Sequence, residues 1–206
     1  MTKREEKRAE RMEKIAEFLE KNGGIAKTSE LYELGIDYRK IQRLVEDGCL
    51  QRVKNGYYSI GFQEKDEESM IVSLFPDGVL CLDSALYYYH YIQEKPYCWH
   101  IAVDKNTSKS RFQMYYPLIQ PYYAEPEVLK LGLRKLQLKG GTIGIYDKER
   151  LICDCLKFED KLEREVLQNA LRCYLREPVK DIQKLMEYAK ARRVVQKVQS
   201  RIGVWL

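Results

Sequence analysis

The sequence of 206 residues lacks several features, and each absence narrows the class of protein. It contains no run of about 18 apolar residues, the length that a membrane-spanning helix needs. Its N-terminus is densely charged and is not followed by an apolar segment, so the sequence predicts no secretory signal peptide. We therefore expect a protein that stays in the cytoplasm.

Residues that commonly build catalytic sites are also scarce. Only two histidines are present, and there is neither a glycine-rich phosphate loop nor a Gly-x-Ser-x-Gly motif. The six cysteines are scattered among apolar residues, which favours reduced, buried thiols over a disulfide framework. The sequence thus predicts no catalytic residue and no cofactor.

Two short pairs have residue types that zinc binds, Cys98-x-His100 and Cys153-x-Cys155. Structural zinc sites usually separate paired ligands by about two to four residues. Cys153 and Cys155 lie in a stretch with a helical pattern, where positions i and i+2 point to different faces. Cys98 and His100 share one face of a predicted strand, but they are only two ligands. We therefore expect core packing at these positions and no metal site.

The tripeptide Glu159-Asp160-Lys161 matches the short Glu-x-Lys signature of metal-dependent nucleases. Those nucleases place the pair on a strand beside another carboxylate, whereas the sequence around this tripeptide is polar and helical. A nuclease-like enzyme that a DNA-binding module carries to DNA is the alternative interpretation of the chain. A metal-binding carboxylate cluster would favour it.

The first 60 residues have the pattern of three helices followed by a hairpin. Apolar residues recur at helical spacing in three segments, and a glycine closes each of them. Thr28 and Ser29 are N-cap candidates for the second helix, and Asp37 for the third. Asn55-Gly56 between two short apolar-rich runs is a strong hairpin signal. This order of elements is specific to winged helix-turn-helix modules.

The periodicity is lost in the polar stretch 61–68, where we predict a domain boundary. This division gives a winged helix-turn-helix domain over residues 1–62 and a larger second domain over residues 69–206. The segments expected in the second domain are a helix at 69–75, strands at 98–103, 117–123 and 142–146, and helices from residue 148 onward. Strands mixed with helices and a helical tail predict an α+β fold.

The third predicted helix carries side chains that suit DNA recognition. With its apolar residues turned inward, the outward side chains include Arg, which can donate two bonds to guanine, and Gln, which can pair with adenine. Hydroxyl groups and the hairpin tip could contact phosphate. The predicted DNA-binding residues are Thr28, Ser29, Tyr38, Arg39, Lys40, Gln42, Arg43, Arg52, Lys54 and Asn55. We expect at least one of Arg39 and Arg43 to read a guanine. Alternatively, these positions are solvated, or the module binds protein.

The net charge of +5 is concentrated near the C-terminal end. Residues 176–206 carry 8 Lys and Arg against 3 Asp and Glu, whereas residues 1–64 are nearly neutral. Apolar residues follow helical spacing in the same segment, which predicts that the basic residues face outward. The predicted polyanion-binding residues are Lys190, Arg192, Arg193, Lys197 and Arg201. The alternative is a solvated helix face.

Several motifs together resemble the AbiEi family of antitoxins. They are Gly78 to Tyr89, Trp99 to Val103, Tyr146 to Cys155 and the closing Ile202 to Leu206. The resemblance implies a type IV toxin–antitoxin system of phage abortive infection, in which a winged helix binds inverted repeats and represses its own operon. It also implies that the second domain counters a nucleotidyltransferase-like toxin, without a stable complex.

Overall fold

The computed structural model describes residues 3–60, 66–114 and 116–203 and divides the chain into two compact units. Unit 1 comprises Met1–Pro76, Gln113–Pro117 and Gln137–Thr142, and unit 2 comprises Asp77–Phe112, Leu118–Leu136 and Ile143–Leu206. Residues 61–65 of the predicted boundary lie outside the described residues. That residues 1–62 fold as an independent domain stays a prediction.

Unit 1 contains the predicted winged helix-turn-helix. Its main elements are α1 (Lys3–Lys21), β1 (Ala26–Lys27), α2 (Thr28–Glu33), α3 (Tyr38–Glu46), β2 (Gln51–Lys54), β3 (Tyr57–Ser59) and α4 (Glu67–Leu74). The strands form an antiparallel sheet in the order β1-β3-β2, so β1, which the pattern did not predict, extends the hairpin. Gly56 turns the hairpin with a φ of +78°, a left-handed conformation that glycine adopts without steric cost.

An apolar core holds the winged-helix elements together. Its buried residues are Ile15, Leu19, Ala26, Leu31, Ile36, Ile41, Leu44, Leu50 and Tyr58. Helix α3 contributes Ile41 and Leu44, which are three residues apart and therefore share one face. Burial of that face leaves the opposite side of α3 to solvent.

The starts of α2 and α3 test the predicted caps. Asp37 caps α3 as predicted, because its carboxylate accepts a bond of 3.0 Å from the backbone N–H of Lys40. The prediction that Thr28 or Ser29 caps α2 is wrong, since Lys27 occupies the cap position. The backbone N–H of Thr28 donates to the Gly56 carbonyl at 2.9 Å, and its hydroxyl donates to the same oxygen at 3.3 Å. Thr28 thus joins the hairpin turn to the first turn of α2.

The rest of the chain combines a five-stranded sheet with helices. The elements are β4 (Val79–Leu80), α5 (Leu82–Tyr88), β5 (Trp99–Asp104), β6 (Ile119–Ala124), α6 (Pro126–Lys130), β7 (Leu133–Leu138), β8 (Gly141–Tyr146), α7 (Lys148–Lys157), α8 (Arg164–Arg176), α9 (Ile182–Arg192) and α10 (Val195–Arg201). Among the described residues, no helix is long and apolar enough to cross a membrane.

The sheet has the order β6-β5-β4-β8-β7 and mixes both strand directions. Strand β4 is antiparallel to β5 and parallel to β8, and β5 is parallel to β6. The three predicted strands correspond to β5, β6 and β8, and the predicted α+β fold is confirmed. Strands β4 and β7 were not predicted, because β4 has two residues and β7 exposes most of its side chains.

Helix α7 carries charged side chains into the interior of unit 2. Arg150 is only 1 % exposed, and its Nε donates to the Asp154 carboxylate at 3.1 Å. The Nε of Arg192 donates to the other oxygen of Asp154 at 2.5 Å. Arg150 also donates from Nη1 to the carbonyls of Val128 and Leu131, at 2.7 and 2.9 Å. The prediction that Arg192 faces outward is therefore wrong, because Asp154 provides a buried partner for its charge.

Candidate nucleic-acid interface

Helix α3 presents the predicted recognition residues on its solvent side. Tyr38, Arg39 and Arg43 are exposed, and Lys40 and Gln42 are half-buried. The Nζ of Lys40 donates to the Gly35 carbonyl at 3.2 Å and lies 2.8 Å from the Asp37 carboxylate. The hydrogen bond from Lys40 lowers the pKa of Asp37. Lys40 is therefore held at the start of the helix, while the two arginines extend into solvent.

The outward residues of α3 lie in the order Gln42, Arg39, Arg43, Lys40 around the helix. Arg39 and Arg43 are four residues apart and are therefore neighbours on one face. Lys40 and Arg43 line a cleft between α1 and α3, and Arg39 and Gln42 are not among the residues that line it. The two arginines therefore have different surroundings, although the sequence pattern treats them alike.

The cleft between α1 and α3 has a volume of about 290 Å³ and is mainly basic. Its lining residues are Lys7, Arg8, Arg11, Lys40, Arg43, Leu44 and Asp47. The guanidinium of Arg8 donates to the Asp47 carboxylate at 2.8 Å. Five cationic side chains against one carboxylate leave an excess of positive charge, which attracts phosphate.

Sequence reasoning missed the α1 side of this cleft. Lys7 and Arg11 are four residues apart and so share a helix face, which was a usable signal. The near neutrality of residues 1–64 concealed it, because the glutamates of α1 balance its charge in a count along the sequence. Only the packing of α1 beside α3 gathers the cations in one place.

The hairpin brings together two of its three predicted residues. Arg52 and Asn55 are exposed at the tip, and the Arg52 guanidinium donates to the Asn55 side-chain oxygen at 2.5 Å. Lys54 is half-buried, and its Nζ lies over the Tyr57 ring at 4.4 Å. Ser29 is exposed in the first turn of α2. No contact with DNA has been observed for any of these residues, and their roles stay predictions.

Some residues of the predicted polyanion-binding face point into solvent, and others form ion pairs within the protein. Lys190 and Arg193 are exposed. Lys197 lies 2.7 Å from the Glu159 carboxylate, Arg201 lies 3.5 Å from it, and the hydrogen bond from Lys197 lowers the pKa of Glu159. With Arg192 buried as well, this face carries less outward charge than the sequence predicts.

The Glu-x-Lys tripeptide lies on a 3-10 helical turn, Glu159–Lys161. Metal-dependent nucleases with the Glu-x-Lys signature place these two residues on a strand instead. The Glu159 carboxylate is paired with Lys197 and Arg201, as described above. Within the described part of the chain, no three His, Cys, Asp or Glu residues are grouped so that they could hold a metal ion.

Comparison with known proteins bears on the N-terminal part of the chain. No curated protein matches the sequence. The family model described as "Transcriptional regulator, AbiEi antitoxin" matches residues 13–61, which extend from within α1 to just beyond the hairpin. The resemblance to this family of transcriptional regulators and antitoxins is thus confirmed for the winged-helix segment, residues 13–61.

Proposed function

We propose that the chain is a DNA-binding autorepressor and antitoxin of a type IV toxin–antitoxin system. Unit 1 binds inverted repeats in operator DNA, and the rest of the chain counters a nucleotidyltransferase-like toxin without a stable complex. The protein acts in the cytoplasm and catalyses no reaction. The observation that carries the proposal is the exposed basic side of α3, which lies within the segment that matches a regulator family.

The outward residues of α3 have different tasks in this proposal. A recognition helix in the major groove places outward side chains against base edges. Arg39 and Gln42 do not line the cleft beside α1, and they read bases. Arg43 lies beside the basic side chains of α1, and it binds a backbone phosphate with them. Arg52 and Asn55 at the hairpin tip contact the flanking phosphates or the minor groove.

Binding of the full chain to two duplexes tests this assignment. One duplex is the DNA upstream of the protein's own gene, and the other has the same composition in shuffled order. Arg39→Ala should weaken specific binding by about 1–3 kcal/mol, or roughly 5- to 150-fold, with a much smaller loss on the shuffled duplex. Arg43→Ala should weaken both by a similar factor, because phosphate contacts carry no sequence information.

Arg172→Ala is the matched control, because Arg172 is an exposed arginine on α8. Its affinity for both duplexes should equal that of the unaltered chain. Equal losses on both duplexes for Arg39→Ala would contradict base reading by that residue. If the unaltered chain bound the two duplexes equally, the repressor function itself would be refuted.

The antitoxin function needs a separate experiment. The full chain is expressed together with the product of a neighbouring nucleotidyltransferase-like gene, and growth is measured. Growth should be restored, and the double variant Arg39→Ala with Arg43→Ala should restore it equally well, because neutralisation does not use α3. Failure of the unaltered chain to restore growth would contradict the antitoxin function and leave DNA binding as a separate result.

A further inference from the structure

A carboxylate lies in the basic cleft between α1 and α3, where two charge effects disfavour it. Asp47 is the C-cap residue of α3, at the negative end of the helix dipole. It also lines the cleft whose cations attract phosphate, so its negative charge weakens that attraction. The partner that offsets both effects is the guanidinium of Arg8.

Arg8 belongs to a part of α1 that precedes the packed part of the helix. The core contacts of α1 begin at the half-buried Met12 and continue at the fully buried Ile15 and Leu19. The side chains of residues 6–10 are all exposed. Residues 3–10 thus form slightly more than two helical turns ahead of the core, and a segment of this length is not stable as a helix by itself.

Arg8 connects these turns to the end of α3. Its guanidinium donates to the Asp47 carboxylate at 2.8 Å and to Sγ of Cys49 at 3.5 Å. Among the described side chains of residues 6–10, it is the one that bonds to a residue outside α1, since the bond from Lys14 to Glu10 stays within the helix. The two side chains of the ion pair are 52 % and 47 % exposed, and such pairs contribute little to global stability.

The ion pair holds together the two helix faces that line the cleft. At about 100° per residue, Lys7, Arg11 and Arg8 follow one another around α1 within an arc of about 100°. On α3, Arg43 and Asp47 are four residues apart and share a face. The bond between Arg8 and Asp47 therefore keeps the cations of α1 on the same side as Arg43.

We propose that Asp47 is a positioning residue for DNA binding, which acts through Arg8 to hold the first turns of α1 beside α3, so that Lys7 and Arg11 reach the phosphate that Arg43 binds. This inference rests on the proposed DNA-binding function. Asp47 itself does not touch DNA, and Arg8 binds Asp47 instead of a phosphate. Charge alone predicts the opposite effect, because removal of an anion from a phosphate-binding cleft should tighten DNA binding.

Binding of the full chain to duplex DNA across a series of salt concentrations separates the two effects. Asp47→Asn should weaken binding although it removes a negative charge. Loss of the contacts from Lys7 and Arg11 should flatten the slope of log affinity against log salt concentration by up to about 2 units, at about 0.9 for each contact. At 0.1 M salt the same slope corresponds to a loss of roughly eightfold for each contact.

Glu46→Gln is the matched control for Asp47→Asn. It makes the same change of charge at the adjacent residue, which is exposed and is not among the residues that line the cleft. Both its affinity and its slope should equal those of the unaltered chain. Asp47→Glu, which keeps the carboxylate, should retain most of the affinity.

A double-mutant cycle tests whether Asp47 acts through Arg8. Arg8→Gln should cause the same loss of affinity as Asp47→Asn, because each variant breaks the same ion pair. The variant with both changes should lose no more than either single variant, since residues that act through one interaction are not additive.

An experiment without DNA tests the connection between the helices directly. Order parameters of backbone amides, measured by NMR on the free full chain, report motion on the picosecond to nanosecond timescale. Asp47→Asn should lower those of residues 7–11. Those of residues 15–19, in the part of α1 that packs on the core, should stay unchanged and show that the variant is folded.

Three results would overturn the proposal. They are an Asp47→Asn variant that binds DNA as tightly as the unaltered chain or more tightly, a double variant whose loss is the sum of the single losses, and unchanged order parameters for residues 7–11. Equal binding of the unaltered chain to the upstream and shuffled duplexes would refute the repressor function but not this inference. Phosphate contacts carry no sequence information, so Asp47→Asn should weaken binding to both duplexes alike.

Discussion

The winged-helix part of unit 1 and the interior of unit 2 differ in what they bury. Among the described residues, the buried polar side chains of unit 1 are the hydroxyls of Ser59 and Ser69. Those of unit 2 include Arg150, Asp154 and Arg192, which are charged. Apolar burial tolerates approximate fits, whereas a buried charge is tolerated only when it is paired and hydrogen-bonded. In the core of unit 1, the loss in the free energy of unfolding should therefore grow with the number of atoms that a substitution removes. At the buried charges of unit 2, removal of a single partner should cause a large loss.

Asp147 extends the charged network of unit 2 from α7 to α9. Its carboxylate accepts from the backbone N–H of Arg150 at 3.0 Å and caps α7. The same carboxylate lies 2.7 Å from the Lys184 ammonium and accepts from the Tyr188 hydroxyl at 3.3 Å. The motif Tyr146 to Cys155, which contributed to the family resemblance, therefore contains residues that hold the helices of unit 2 together.

Removal of Asp154 should have the largest effect on stability. Asp154→Ala leaves the guanidinium groups of Arg150 and Arg192 buried without their carboxylate, which should lower the free energy of unfolding by about 3–5 kcal/mol. Urea unfolding followed by circular dichroism measures the loss. Asp160→Ala, at an exposed position on the neighbouring 3-10 turn, should change stability by less than about 0.5 kcal/mol. A loss below about 1 kcal/mol for Asp154→Ala would contradict the contrast between the two units.

In unit 1, shortening the Ile41 side chain in two steps should lower the stability in two steps. Ile41→Val should lower the free energy of unfolding by about 0.5–1.5 kcal/mol, and Ile41→Ala by about 2–5 kcal/mol, because each deletion removes more apolar contact from the core. Gln42→Ala, at the adjacent half-buried position, is the control. Equal losses for Ile41→Val and Ile41→Ala would show that this core does not respond in a graded way.

The cap of α3 should make a smaller contribution. Asp37→Ala removes the bond to the backbone N–H of Lys40, and we expect a loss of about 1 kcal/mol, within a range of about 0.5–2 kcal/mol. Thermal unfolding at neutral pH measures it. Glu46→Ala removes an exposed carboxylate from the other end of the same helix and should have little effect, so similar losses for both variants would rule out a specific capping bond.

Substitution of the exposed cations of the C-terminal segment should have the smallest effect of all. That effect should be on DNA binding and not on stability. Lys190→Gln combined with Arg193→Asn should flatten the slope of log affinity against log salt concentration by up to about 2 units, at about 0.9 for each phosphate contact. Asn suits position 193, whose φ of +59° is left-handed. Measurement of the DNA affinity of the full chain across a series of salt concentrations tests this prediction. An unchanged slope together with full antitoxin activity in cells would show that these residues form a solvated surface.

Local signals in the sequence were sufficient for the three helices and the hairpin of the winged-helix part. Periodic apolar residues indicated the helices, Asp37 marked the start of α3, and Asn55-Gly56 marked the hairpin. Each of these signals depends on residues within a few positions of one another. Strands β1 and β4 escaped prediction because they have two residues each and form only by pairing with distant strands.

The tertiary structure decided which charged residues meet. Helical spacing showed that Arg192 lies on a helix with an apolar side, but its partner Asp154 is 38 positions away in the sequence. The basic cleft likewise joins Lys7 and Arg11 of α1 to Arg43 of α3. Periodicity identifies the faces of a single helix, whereas the direction in which a long charged side chain turns depends on the neighbour that packing supplies.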